Sequence, residues 1–147
     1  MTQTNQFCTF YLDKLMFGVE LKKVQEVIRY LEITPIPLAP RIVSGLMNLR
    51  GQIVTGLDLR RRLDLPDRSE DMQPINVVIR SVDGAVSLLV DEIGDVVEVT
   101  DESFERPPER LPGTVREVIL GVHKLENHLM HVLDTDKACE TSARSAA

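Results

Sequence analysis

The sequence predicts a mainly β protein, two packed β-barrels of about five short strands each, with short helices between them. Three observations carry this. Val, Ile and Leu dominate and fall in short runs separated by turn residues. The chain nearly repeats itself, so whatever one half forms the other should form too. A small open sheet also leaves unpaired edges, and closing it into a barrel removes them.

The repeat has two blocks in the same order. Phe17–Val27 aligns with Val86–Val96, pairing Phe17 with Val86, Val19 with Leu88, Leu21 with Val90, Val24 with Ile93 and Val27 with Val96. Val43–Asp58 aligns with Ile119–Asp134, matching Gly45 to Gly121, Leu49 to Leu125, Ile53 to Leu129, Leu57 to Leu133 and Asp58 to Asp134. Shared positions carry fold, because both copies need them. The loop is not shared: Asn48-Leu49-Arg50-Gly51 in one copy stands against Lys124-Leu125-Glu126-Asn127 in the other. Function is expected in that loop.

In chain order, Phe7–Leu12 reads as a strand, turned by Asp13-Lys14 into Met16–Val19. Glu20–Val24 allows one helical turn with Leu21 and Val24 on one face. Gln25–Ile33 is rich in β-branched and large apolar residues and stops before Pro35. Pro37 and Pro40 match a polyproline ligand pattern, but a connector is the better reading. Gly45–Leu49 and Gln52–Leu57 form a hairpin across Arg50-Gly51, where glycine supplies a positive φ. Asp58 caps a short helix, Leu59–Leu63. Its run Arg60-Arg61-Arg62 reads as a solvated face. Asp64–Gln73 is polar and divides the halves 6–63 and 74–137 of a single domain, 6–137.

Ile75–Val82 and Ala85–Asp91 form a hairpin over Asp83-Gly84, and Asp95–Val99 is a further strand. Thr100–Arg116 is the longer loop of the second copy. Val118–Leu125 and His128–Leu133 complete it, and Asp134 caps a last helix before a frayed tail, 138–147. Alternation and duplication predict that Ile53, Leu57, Leu88, Val90, Leu129 and Leu133 are largely buried.

The 147 residues suit one domain, with room for two small cores of the same kind. A net charge of −6 and aromatics at only 4% disfavour nucleic acid as a partner. Cys8 and Cys139 lie far apart, which excludes a CxxC motif; Cys8 reads as a small buried hydrophobe. No signal peptide or membrane-length apolar run is found, so a cytoplasmic protein without membrane insertion is expected. Across a Glu126-Asn127 turn, His123 and His128 share one face and His131 the other. Two imidazoles on a face are fewer than the three or four ligands of a zinc site. No nucleophile elbow or phosphate loop is present. A non-enzymatic binding module with no metal or cofactor fits better than an enzyme built on the histidines.

Val24-Gln25-Glu26-Val27-Ile28, Ile42–Val54 with its Gly-x-x-Asn-Leu-Arg-Gly segment, Leu57-Asp58-Leu59-Arg60 and Val90–Val96 resemble the CheW family of chemotaxis coupling proteins. The resemblance covers about Gln6 to Lys137 and implies two five-stranded, SH3-like barrels around a hydrophobic core, with strands crossing between the halves 6–63 and 74–137. It implies a chemotaxis adaptor that couples the cytoplasmic tips of chemoreceptors (methyl-accepting chemotaxis proteins) to a CheA-type histidine kinase, and so associates with receptor arrays through its partners. The same scaffold in another chemosensory two-component pathway, such as surface motility or biofilm control, is the alternative. Positions matching Val24, Gly45 and Arg50 belong to the family's receptor groove. The kinase's regulatory domain binds elsewhere, on residues the sequence does not identify. With the unshared loop, the candidate receptor site is Val24, Glu26, Gly45, Asn48, Leu49, Arg50 and Gly51, and Glu26 is expected to hold Arg50 in the free protein. Thr55-Gly56 and Ala138-Cys139 depart from the more apolar residues that the family has at those places.

Overall fold

The computed structural model describes residues 4–29, 31–81 and 84–140. Eleven strands form two sheets: β1 (Thr4–Leu12), β2 (Leu15–Glu20), β3 (Val24–Ile28), β4 (Val43–Leu49), β5 (Gln52–Asp58), β6 (Ile75–Ser81), β7 (Gly84–Val90), β8 (Glu92–Thr100), β9 (Phe104–Glu105), β10 (Ile119–Lys124) and β11 (Leu129–Leu133). The six-stranded sheet runs β8-β1-β2-β11-β10-β9, and the five-stranded sheet runs β3-β6-β7-β5-β4. Among the described residues there are three one-turn helices, α1 (Leu59–Arg62) after β5, α2 (Gly113–Arg116) before β10 and α3 (Thr135–Ala138) after β11, with a 3-10 turn at Leu21–Lys23 where one helical turn is expected.

Each sheet draws on both halves of the chain. The β1–β2 hairpin of the first half sits among β8 to β11, and the β6–β7 hairpin of the second half sits between β3 and β5. The exchange is reciprocal to the residue. Parallel pairing sets His131 opposite Phe17 and Val132 opposite Gly18. The repeat-related pairs, Thr55 with Val86 and Gly56 with Ser87, do the same in the other sheet. The antiparallel pairs Phe10–Ile93 and Cys8–Val96 recur as Ile79–Val24 and Val77–Val27, each with its bulge at the same place.

Both sheets roll up. The chain leaving β3 returns to β4, where Thr34 and Leu46 exchange two hydrogen bonds of 2.8 Å. The chain leaving β8 becomes β9 and pairs with β10, setting Glu105 opposite Val122. Leu46 and Val122 are equivalent in the repeat, and so are the glycines beside them. A Cβ on Gly45 would strike the Thr34 carbonyl oxygen and Ile33; one on Gly121 would strike the Glu105 carbonyl oxygen and Phe104. The matched glycines admit the closing strand. Because the short β9 adds itself beside β10, that sheet has six strands where about five are expected.

The main core lies between the sheets, joining Phe10, Phe17 and Val19 to Val77, Leu88 and Val90, with Leu59 and Ala138 from the helices. Each barrel keeps only a small satellite of its own, Phe7–Met16–Val99–Met130–Val132 in one and Leu49–Val54–Val78 in the other. Two equal cores are therefore replaced by one shared core. The departures at Gly56 and Ala138 pack well: Met47 occupies the space above Gly56, and Ala138 is fully buried. Ala138 is thus part of α3 and not of the tail; residues 141–147 lie outside the described residues. So do Val82 and Asp83, on which the expected Asp83-Gly84 turn falls, although β6 and β7 do form the hairpin, pairing Ser81 with Gly84.

Three expectations are corrected. Ile53 is 60% exposed, while Leu57, Leu88, Val90 and Leu133 are buried and Leu129 is half-buried. On β5 it is Val54 that points inward, so its neighbour Ile53 faces solvent beside the hairpin tip. Arg60 and Arg62 are buried, at 9% and 3% exposure, and do not form a solvated face. Arg60 pairs with Asp91, and Arg62 caps the carbonyls of Lys137, Ala138 and Glu140 at the end of α3. The strand after Val24 ends at Ile28, short of Ile33, because the chain there turns away toward β4.

Candidate functional site

The unshared loop is the tip of the β4–β5 hairpin. Leu49 pairs with Gln52, leaving Arg50 and Gly51 as a two-residue turn. Both have positive φ, 51° and 88°, as a type I′ turn requires. Glycine adopts this freely, whereas arginine does so rarely and at a cost. Three contacts hold it there. The Asn48 side-chain oxygen accepts from the Gly51 N–H at 2.8 Å. Leu49, 5% exposed, packs under the tip with Val54 and Val78. Glu26 takes the guanidinium itself.

That last contact is two-pronged. Arg50 Nη1 donates to Glu26 Oε2 at 2.7 Å and Nη2 to Oε1 at 2.5 Å. Glu26 lies on β3 and Arg50 beyond β4, at opposite ends of the sheet order, so the pair spans the mouth of the rolled sheet. The Arg50 hydrogen bonds hold the Glu26 carboxyl below the usual glutamate range, and Glu26 in turn raises Arg50. The Arg50 side chain is 70% exposed against 22% for Glu26. Two of five guanidinium donors are committed to the carboxylate, and the others remain open to a second acceptor. The expectation that Glu26 holds Arg50 is met.

The remaining predicted residues divide by role. Val24 is half-buried at the start of β3 and leans on the main core. Gly45 is buried beneath Ile33 and Thr34, so it shapes the barrel wall and offers no exposed surface. Asn48 and Gly51 are exposed, and Leu49 anchors from below. Sequence reasoning missed Ile53 and Val27, exposed apolar side chains on the two strands that carry Arg50 and Glu26. Counting the alternation outward from Val54 would have found Ile53.

The histidines do not converge. His123 is buried between Phe7 and Phe104, with Nδ1 2.8 Å from Ser103 Oγ, and burial lowers its pKa. His131 is buried with Nδ1 2.7 Å from the Met16 carbonyl oxygen, and His128 is exposed. Among the described residues no group of three or more His, Cys, Asp or Glu could hold a metal ion. Cys8 is buried as expected, and burial raises its thiol. Among the described residues no helix is long and apolar enough to cross a membrane.

A family model described as a CheW-like domain matches residues 6–142. A chemotaxis protein CheW from Treponema pallidum is 32% identical over 136 residues, covering 90% of this chain and 80% of that protein. One from Bacillus subtilis is 25% identical over 94% of this chain and 88% of its own length. The crystal structure of the scaffolding protein TtCheW from Thermoanaerobacter tengcongensis superposes with a TM-score of 0.80 at 23% identity, covering 89% of each chain; at that identity the likeness is one of fold. The model covers nearly all of the two-barrel unit, and its Asn-Leu-Arg-Gly tip is the one loop the internal repeat leaves free to vary. The chain belongs to the CheW family.

Proposed function

We propose that this chain is a non-enzymatic adaptor that couples the cytoplasmic tips of chemoreceptors to a CheA-type histidine kinase. The observation that carries the reading is the state of Arg50, an exposed fork held in one orientation by Glu26 before any partner arrives. A guanidinium already fixed loses less freedom on binding, and its planar donors suit a carboxylate or paired carbonyls. The exposed Ile53 and Val27 and the half-buried Val24 supply apolar surface on the same strands. A helical receptor tip that presents apolar side chains and carboxylates meets both needs. Asn48, Leu49 and Gly51 shape the tip, and Gly45 keeps the wall behind it closed. The kinase's regulatory domain takes a separate surface, so the protein sits in the cytoplasm against membrane receptor arrays and holds both partners at once.

The test is binding of a receptor-tip fragment and, separately, of a kinase regulatory domain to wild type, Arg50→Glu and Arg50→Lys. Arg50→Glu should weaken receptor binding at least tenfold with the melting temperature nearly unchanged. Arg50→Lys should weaken it less, because charge remains while the fork is lost. Kinase binding should stay the same in both. Equal receptor binding by wild type and Arg50→Glu removes the tip from the mechanism. Loss of kinase binding in Arg50→Glu shows that the two surfaces are not separate.

A further inference from the structure

Between α1 and β6 the chain crosses in a polar connection. From Pro66 to Gln73 every residue is exposed except Arg68, whose side chain is 7% exposed. That side chain points inward to two carboxylates. Its Nη1 donates to Asp58 Oδ1 at 2.9 Å, its Nη2 to the Leu89 carbonyl oxygen at 2.9 Å, and its Nε lies 2.9 Å from Asp91 Oδ1. Arg60 completes the cluster, bonding both oxygens of Asp91 and, through Nη1, the Pro66 carbonyl oxygen. Asp91 Oδ2 also accepts the Asp13 N–H at 2.8 Å.

The location gives the cluster its meaning. Asp58 ends β5 in the five-stranded sheet, and Asp13 turns β1 into β2 in the other. Asp91 stands where the chain passes from one sheet to the other, between β7 and β8. Three cations face the two anions at this junction, Arg60, Arg68 and, 3.8 Å from Asp58, Arg61, so neither carboxylate is left as a lone buried charge. The two arginines at Asp91 are held unequally. Arg60 grips Asp91 with two aligned groups, whereas the Arg68 Nε near Asp91 makes no aligned hydrogen bond. Arg68 is the arm that lets go first.

We propose that Arg68 is a latch: lodged between Asp58 and Asp91, it holds the 64–74 connection down over the junction of the two barrels, and its release opens that connection as a unit while both barrels stay folded. Opening uncovers the two carboxylates, the Leu89 carbonyl oxygen near the end of β7 and the underside of Met72, which is 39% exposed when the latch is shut. Arg60 stays behind to compensate Asp91, and the Arg60 N–H still bonds Asp58. The open form is therefore reachable without unfolding. This holds whatever partners the Arg50 tip takes.

Limited proteolysis of the full chain reads the latch directly. Trypsin must engulf the Arg68 side chain to cut after it, so the closed form is protected. Asp58→Asn removes the charge but keeps an acceptor for the α1 N-terminus. It should speed cleavage after Arg68 at least tenfold while leaving cleavage after the exposed Arg110 unchanged. Arg68→Met should speed cutting after Glu70 by a glutamate-specific protease, again with Arg110 as the tryptic control. Unchanged cleavage of the connection in both variants overturns the latch. A parallel rise at Arg110 overturns it too, since it means that the whole domain has loosened.

Discussion

His123 occupies the position that Met47 holds in the other copy of the repeat. An imidazole in a methionine's place makes stability depend on pH. Burial lowers its pKa from the ordinary value of 6.5, partly offset by Asp101. A base with a depressed folded pKa favours folding while neutral. That contribution is complete above pH 6.5 and is lost as pH falls through the folded value. The melting temperature should therefore begin to fall on acidification below about 6.5, before the carboxylates titrate. His123→Met should flatten the curve in that window, and thermal melts from pH 7.5 to 5 check it. Glu26 and Asp91 act lower. Arg50 hydrogen bonds lower Glu26; burial raises Asp91, but its bonds from Arg60 and Asp13 outweigh this and leave it lowered. Both contributions stand above the usual carboxylate values and are lost as pH drops through the depressed ones. Arg50 orientation is thus constant at neutral pH. At this scale the sequence was partly legible. Arg50 stood out because a repeat isolates what it does not share, and Glu26 because the family resemblance sets its segment beside that loop. Arg60, Arg62 and Arg68 did not, because their partners, Asp91 and the α3 carbonyls, lie far away in sequence and a basic run by itself looks solvated.

Among the elements, the closing strands decide whether each sheet becomes a barrel. Thr34 and Glu105 approach β4 and β10 so closely that only a glycine fits beside them. Gly45→Ala and Gly121→Ala should each destabilise by about 1–3 kcal/mol, the usual cost of overpacking against an unyielding neighbour. Gly45 should suffer additionally from its φ of 152°. Denaturant titration of both variants measures this, and a neutral result at either glycine means that the closing strand is free to shift. Helix caps were readable here because their chemistry is local: the Asp58 side chain accepts from the Arg60 N–H and Asp134 from the Lys137 N–H, as a residue before a short helix should. The closing strands were not. Phe104-Glu105 is a two-residue strand in a polar stretch, and nothing in its own composition announces pairing with Val122 and His123.

For the whole molecule, the repeat announced two equivalent units but not who pairs with whom. Similarity between segments states which positions correspond. It does not state which copy of a hairpin fills which sheet, because either choice buries the same side chains. The chain takes the crossed arrangement, so a fragment of residues 6–63 lacks β6 and β7 between its own β3 and β5. A fragment of residues 74–137 likewise lacks β1 and β2 between β8 and β11. Neither should fold alone, and an equimolar mixture should regain β circular dichroism. A cooperative melt from either isolated half would mean that the uncrossed pairing is accessible.

The equal registers of the crossed pairs also bear on ancestry. A half-length chain with this pattern completes its sheet only by lending its hairpin to a second copy of itself and borrowing one back, as domain-swapped dimers do. Joining the copies end to end replaces a concentration-dependent encounter with an intramolecular one. It also breaks a symmetry. In a homodimer both hairpin tips must carry the same residues, so any feature suited to one partner is displayed twice. After fusion one tip is free to become Asn-Leu-Arg-Gly while the other becomes Lys-Leu-Glu-Asn, and a single molecule acquires two unlike ends.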